Sequence, residues 1–308
     1  MRLREIGVWS EGQHDLGVYA QSNEDYHASD GVSKSGLWKL WSKSPFHFRY
    51  EERVYKPQFA IGQAAHVAIL EPEKFEASYV PADVTRRSGK EWDRAVMEAH
   101  ATGREALTRD MYDSALYMRD AAARCRHLQV MLRDAVIETS GFARDAVTGQ
   151  VVRCKPDAYS PAQRVIVDLK TTTDANPDTI WRAMLNYGYH VQEAIYTDVW
   201  QDAGGGAVDA FVFFFVEKSK PHLIQPYELP PSFVEEGRAI ASLAMKRYAE
   251  CLKRDEWPAY GDEVRPVDMP AFAYKVTQPP KPGDDDPDAV RQEIEALAAE
   301  IDEFGEEG

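Results

Sequence analysis

Cysteine is the scarcest informative residue here. Cys125, Cys154 and Cys251 are odd in number and far apart, which argues against a disulfide framework or a zinc site. Long apolar runs are missing too. Nothing approaches the roughly 20 residues a membrane-spanning helix needs, so no membrane partner is expected. The opening Met1-Arg2-Leu3-Arg4-Glu5-Ile6-Gly7 lacks the apolar core of a secretory signal, which points to a cytoplasmic protein. Positive charge is also short: 36 Lys plus Arg stand against 51 Asp plus Glu, a net charge of −15. That sign is wrong for a protein that holds nucleic acid through phosphate contacts alone. The deficit is concentrated, however. Between Gly283 and Gly308 there are eleven acidic residues and one basic one, Arg291, so this end contributes −10 and the remainder about −5.

What is present begins with a hydrophobic content of 44%, enough for one large core or two modest ones. The most informative stretch is KPDAYSPAQRVIVDLKTT, from Lys155 to Thr172. Ser160-Pro161-Ala162-Gln163 has proline where a type I turn favours it. Gln150–Tyr159 and Arg164–Thr172 then read as the two antiparallel strands of a hairpin. A four-residue connection pairs odd positions of the first strand with even positions of the second. Asp157, Asp168 and Lys170 therefore share one face, and Val165, Val167 and Leu169 share the other. Two carboxylates and an ammonium converging there would hold a hard divalent cation beside a group that orients water, the layout of a metal-dependent phosphodiesterase. A hairpin with one solvated face produces the same alternation.

Two further patterns flank the hairpin. Ile61–Pro72 reads as a short helix ended by Pro72, with Gly62 one turn before His66 and leaving room above its ring. Tyr187–Tyr196 begins a helix that runs to about Trp200, and the four-residue spacing puts Gln192 and Tyr196 on one face. Core packing alone accounts for either pattern. In order, however, Gly-xxx-His, Pro-Asp, Asp-x-Lys and Gln-xxx-Tyr resemble the PD-(D/E)xK nucleases of the RecB-like branch. The closer resemblance is to the RecE-like exonucleases (exodeoxyribonuclease VIII) of phages and prophages. It extends over Gly17-Val18-Tyr19, Asn23–His27, Val32–Leu37, Ser44–Phe48 and Asp255–Pro258, so it covers about Gly17 to Ala273.

The resemblance implies an α/β fold with a restriction-endonuclease-like core. A mixed central β-sheet flanked by helices would carry a helical N-terminal region and an acidic C-terminal tail. It implies an N-terminal arm (1–30), an exonuclease domain (31–273, helical over 31–134 and sheet-based over 135–260), and a linker with an acidic tail or helix (274–308). Asp157, Asp168 and the Leu169 carbonyl would bind Mg²⁺, with Mn²⁺ as substitute, and His66 would lie near or ligate the ion. Lys170 would orient the attacking water, and Gln192 and Tyr196 would support the site or contact DNA. Glu138, within Ala135–Thr139, matches an acidic position on the preceding strand, where a solvated strand carboxylate is the plain alternative. Three cysteines exclude the four-cysteine iron–sulfur cluster that some relatives carry.

By the same resemblance the substrate is a double-stranded DNA end, digested 5′→3′ to leave a 3′ overhang. A RecT-type annealing protein would be the partner, and a homo-oligomeric ring such as a tetramer the assembly. Another nuclease of the superfamily, endonucleolytic or single-strand-specific, is the first alternative. A silent DNA-end-binding protein is the second. Asp30–Leu40 reads as a helix start capped by Ser33, whose free N–H groups could hold a 5′-phosphate with Ser33, Lys34 and Ser35. A plain capped helix reads identically. Arg86-Arg87-Ser88-Gly89-Lys90 is the densest basic patch, either a track for the DNA backbone or a solvated loop. Pro279-Pro280-Lys281-Pro282 reads as a linker, and Ala289–Phe304 as an acidic amphipathic helix.

Overall fold

The computed structural model describes residues 7–8, 16–52 and 59–267. The chain divides into two units, Met1–Tyr260 and Gly261–Gly308. The expected proline linker, acidic tail and Ala289–Phe304 helix lie outside the described residues. In chain order the elements are β1 (Gly7–Val8), β2 (Gly17–Ala20), α1 (Asn23–Ala28), β3 (Val32–Ser33), α2 (Lys34–Ser42) and α3 (Pro45–Tyr50). Next come α4 (Phe59–Leu70), α5 (Pro72–Ser78), β4 (Tyr79–Ala82), α6 (Lys90–Ala101), β5 (Glu105–Thr108), α7 (Arg109–Arg124) and α8 (Arg126–Leu132). The sheet-forming half holds β6 (Val136–Ile137), β7 (Thr139–Arg144), β8 (Val151–Cys154), β9 (Ala158–Ser160) and β10 (Val165–Thr172). It continues with α9 (Ile180–Asn186), α10 (Tyr189–Asp202), β11 (Ala210–Glu217), β12 (Ile224–Tyr227) and α11 (Pro231–Arg254).

Local chemistry sets the helix starts. The hydroxyls of Ser33, Ser44 and Thr108 accept the backbone N–H of Gly36, His47 and Met111, capping α2, α3 and α7. Proline opens α3, α5 and α11, where its missing N–H costs nothing. Pro72 thus does two things: α4 stops at Leu70, and α5 begins on the proline itself.

The fold is mixed α/β, with one five-stranded sheet ordered β12-β11-β10-β9-β6 and another ordered β1-β2-β7-β8-β3. Strands β10 and β11 are parallel, and α9 and α10 make the crossover between them. Alternation along this pair separates two cores. Ile166, Phe211, Phe213 and Phe215 face Trp200, Val191 and Ile240 of α10 and α11, with Leu37 and Leu40 of α2. Val165, Val167, Leu169, Val212, Phe214 and Val216 face Ala65 and Ile69 of α4, Met118 of α7 and Leu128 of α8. Phe213 and Phe214 are both fully buried, as a strand covered on both faces requires.

The structure corrects several expectations. The first hairpin strand is not continuous: β8 belongs to one sheet and β9 to the other, and the break falls at Lys155-Pro156-Asp157. The preceding strand, expected to carry Glu138, breaks at that residue, whose φ of 49° is left-handed. Pairing register is the same on both sides of the break, with Ile137 opposite Ala158 and Gly141 opposite Cys154. The two strands therefore form one ribbon, creased where Glu138 faces Asp157, and Glu138 N donates to Asp157 O at 3.0 Å. Inside the region expected to be helical, β4 and β5 form a parallel two-stranded sheet. The expected N-terminal arm supplies β2, which pairs with β7.

Candidate active site

The crease positions the site. Strands β9 and β10 pair as far as Ala158 opposite Val167, and then β9 turns away. The next inward N–H of β10, that of Leu169, is taken by a side chain: Asp157 Oδ2 accepts it at 2.6 Å. The expected shared face is realised but the register is not: the turn lies one residue later, Ser160 pairs with Val165 instead of Tyr159 with Arg164, and Asp157 falls at the level of Asp168. Asp168 and Lys170 follow Ile166 on the α10 side of the strand, while Leu169 lies in the opposite core.

Among the described residues, His66, Glu138 and Asp157 offer ligand atoms that all lie within 4.8 Å of one another. His66 Nδ1 is 3.6 Å from Asp157 Oδ2. Gly62, one turn before His66, lines the same cleft as that ring. A Cβ there would come within 3.1 Å of Thr171 Oγ1, so the glycine serves the close approach of α4 to β10. Burial, and then the Lys170 charge, hold the His66 pKa below the usual imidazole value, so the ring is neutral near pH 7 and has a lone pair to give. The backbone carbonyl of Leu169 works the other way on the same ring. Asp157 is pushed up to about 7, by burial first and by Asp168 second. Glu138 is raised by burial and then by Asp157.

Asp168 stands apart from that trio. Its side chain is 1% exposed, ion-paired through Oδ1 to Lys170, and Oδ2 accepts Nε2 of Gln192 from α10. Oδ1 makes the ion pair but has no hydrogen bond of good geometry. Burial works to lower the Lys170 pKa, but Asp168 and Asp157 outweigh it and hold the ammonium charged. Tyr196, one turn beyond Gln192, packs into the core beside Phe211. Its phenol is held far above its ordinary pKa by burial, then by Tyr26 and Asp168.

Sequence reasoning missed Lys155. Its ammonium is buried, 3.1 Å from Glu138 Oε2, and it donates to Asn23 Oδ1 at 2.6 Å. The available signal was its place immediately before Pro156-Asp157. A cleft of about 950 Å³ opens from this side of the site, lined by Asn23, His66, Lys74, Glu105, Glu138 and Lys155 among others. Arg87 pairs with Glu105, a residue of the cleft lining, at 3.7 Å and lies 5.1 Å over the Trp92 ring. Arg86 is exposed on the same loop. At the helix expected to hold a 5′-phosphate, Ser33 caps α2 and Ser35 is exposed. Lys34 is turned inward, donating to the Tyr187 carbonyl at 2.6 Å. Its pKa is lowered to about 7, by burial first and Lys170 second.

The donor set fits a divalent cation. Two raised carboxylates and a neutral imidazole together hold more acceptor capacity than Lys155 satisfies. Oxygen-rich donors with one nitrogen suit Mg²⁺ or Mn²⁺.

A creased ribbon that carries Pro-Asp and Asp-x-Lys beside a divalent-ion donor set defines the PD-(D/E)xK nuclease class. Within that class, residues 36–268 match the PDDEXK-like domain of unknown function DUF3799, and the chain belongs to this family. No curated protein matches it in sequence. Among solved structures, it is similar to a presumed exonuclease from Eubacterium rectale, 14% identical with a TM-score of 0.54, over 81% of this chain and 96% of that one. That likeness bears on the fold. A phage-related exonuclease from Haemophilus somnus 129PT is 13% identical with a TM-score of 0.33, over 75% of this chain and 99% of that one. No described helix is long and apolar enough to cross a membrane.

Proposed function

We propose that this protein is a Mg²⁺-dependent exonuclease of double-stranded DNA, working 5′→3′ and leaving 3′ overhangs for recombination by single-strand annealing. One observation carries the reading: a cation-seeking trio, His66, Glu138 and Asp157, stands one strand from a charged lysine fixed beside a buried carboxylate. His66, Glu138 and Asp157 would hold the ion, with Asp168 alongside. When bound, it would neutralise phosphate charge and acidify water. Lys170, kept protonated by Asp168, is a donor and a fixed positive charge. It orients the attacking water and stabilises charge building on the phosphate. Gln192 holds Asp168, and so holds Lys170 in register. A RecT-type annealing protein as partner and a homo-oligomeric ring, such as a tetramer, accord with this reading, as does a phage or prophage origin. The domain plan, with the exonuclease domain over 31–273 and an appended acidic tail, belongs to the same proposal.

The test uses linear duplex carrying one labelled, 5′-phosphorylated end, a closed circular duplex, and Mg²⁺. Wild type should shorten the linear DNA from its 5′ ends and spare the circle, and Lys170→Ala should be inert. Cutting of the circle would retain the chemistry and overturn the end-dependence. Inactivity of wild type with both Mg²⁺ and Mn²⁺ would leave a DNA-end-binding protein as the better reading.

A further inference from the structure

Tyr187 is an aromatic side chain that the catalytic reading leaves unused. It is 62% exposed, at the end of α9, and is followed by Gly188 in the left-handed region at φ 63°. A Cβ at Gly188 would fall 2.6 Å from the Trp38 ring, so the turn that presents Tyr187 is closely packed from behind. The Lys34 ammonium fixes the Tyr187 carbonyl. The Tyr187 ring stacks on Tyr189, with centroids 5.8 Å apart and planes at 29°. Tyr189 in turn stacks on buried Phe213, and Lys170 lies 5.2 Å over its ring. An exposed tyrosine is therefore coupled through one intervening ring to the lysine of the site. Trp181 and Leu185, one turn apart on α9, are 52% and 44% exposed.

We propose that Tyr187 is a stacking platform for a nucleobase of the strand whose phosphate lies at Lys170; this rests on the nuclease reading. The occupant is set by two features. A flat aromatic face open to solvent suits a π-face of any base, independent of sequence. The Lys170 ammonium, one ring away over Tyr189, suits the phosphate that comes with the base. An apolar protein segment would use the ring but not the cation. The platform lies within a nucleotide or two of the reacting phosphate, so it acts on substrate position, not on bond breaking. Tyr187 is a positioning residue.

The experiment places 2-aminopurine, or an abasic site, at each of the first three nucleotides from the 5′ end of a linear duplex, and compares wild type with Tyr187→Ala, Tyr187→Phe and Tyr187→Trp. Wild type should quench the fluorophore at one position and bind the duplex that is abasic there about tenfold more weakly, the size of one base–aromatic stack. Tyr187→Ala should lose the quench and the discrimination and raise KM with kcat little changed. The phenylalanine and tryptophan variants should keep both. A thermal midpoint for each variant separates lost stacking from lost fold, and the abasic series on wild type tests the platform without any variant. Wild type that cuts DNA without discriminating abasic positions overturns the platform alone. Wild type that neither binds nor cuts DNA overturns the platform together with the nuclease reading.

Discussion

The two halves of the site hold the same kinds of groups in opposite states. At the crease, His66, Glu138 and Asp157 sit together with too little positive charge, and both carboxylates are pushed towards the protonated form. One strand over, Asp168 is more deeply buried, yet Lys170 and Gln192 occupy both its oxygens. The halves differ in their partners: Asp168 has a cation and an amide bonded to it, whereas the crease carboxylates share Lys155. The crease half is built to receive a cation, and the strand half holds one already, as a lysine. The backbone explains the division. Strand β10 is straight and alternates, which fixes Asp168 and Lys170 on one face, whereas the ribbon bend at Glu138 and Lys155–Asp157 frees side chains to converge.

Charge removal is the sharpest way to break this contrast, and Asp168→Asn is the largest case. It leaves Lys170 buried without its counter-charge, which costs about 3–5 kcal/mol when a buried pair loses one member. Chemical denaturation should show the loss, with an unchanged denaturant slope. A loss under 1 kcal/mol would mean that the pair is solvated, and the contrast would fail. Next in size is Lys170→Met, assayed well below the unfolding midpoint. If Lys170 supplies charge and orientation only in the transition state, kcat on linear duplex should fall about 100- to 1000-fold. Divalent binding followed by calorimetry should survive. Loss of divalent binding in this variant would place the lysine in the receiving half.

Part of this division was legible in the residues. Alternation in Arg164–Thr172 gave the strand and its two faces, because period-2 patterning survives in any straight strand, but not the register, since the turn falls one residue later than its proline suggested. The spacing of Gln192 and Tyr196 gave one face of α10. The crease was not legible. Gln150–Tyr159 reads as one strand because nothing in the pattern marks a change of sheet except Pro156. The left-handed Glu138 carries no glycine to announce it. For the same reason Glu138 was indistinguishable from a surface carboxylate and Lys155 went unnoticed, since both gain meaning only from the bend that joins them. Strand β4 was hidden in a helical neighbourhood, with Pro81 placed where only a short edge strand tolerates it.

Acidity sharpens the contrast by a smaller amount. Asp157 is raised from 3.8 to about 7, so its contribution to stability is full below about pH 4 and disappears as pH rises through about 7. Without divalent ion, the midpoint difference between wild type and Asp157→Asn should therefore move against wild type from pH 4 to pH 7.5. Excess Mn²⁺ should reverse this at pH 7.5, because the ion binds the deprotonated carboxylates. At one hundred times Kd it adds about 2.7 kcal/mol, a rise of several degrees. Asp157→Asn should show little of that rise.

The smallest effect is the most discriminating, because it makes the same change in the opposite half. Glu138→Gln removes one negative charge from a group already pushed towards neutrality, and it relieves Asp157 of a like-charged neighbour. Lys155 loses an ion pair but retains Asn23. The metal-free protein should therefore unfold at an equal or slightly higher temperature than wild type, while divalent affinity falls about tenfold or more, as for loss of a group that orients or completes a metal site. Asp168→Asn and Glu138→Gln would then move stability in opposite directions for one identical change of charge. If Glu138→Gln destabilises the metal-free protein as strongly as Asp168→Asn does, Glu138 serves Lys155 as a structural partner. The crease would then be a second internal ion pair and not a place prepared for a cation.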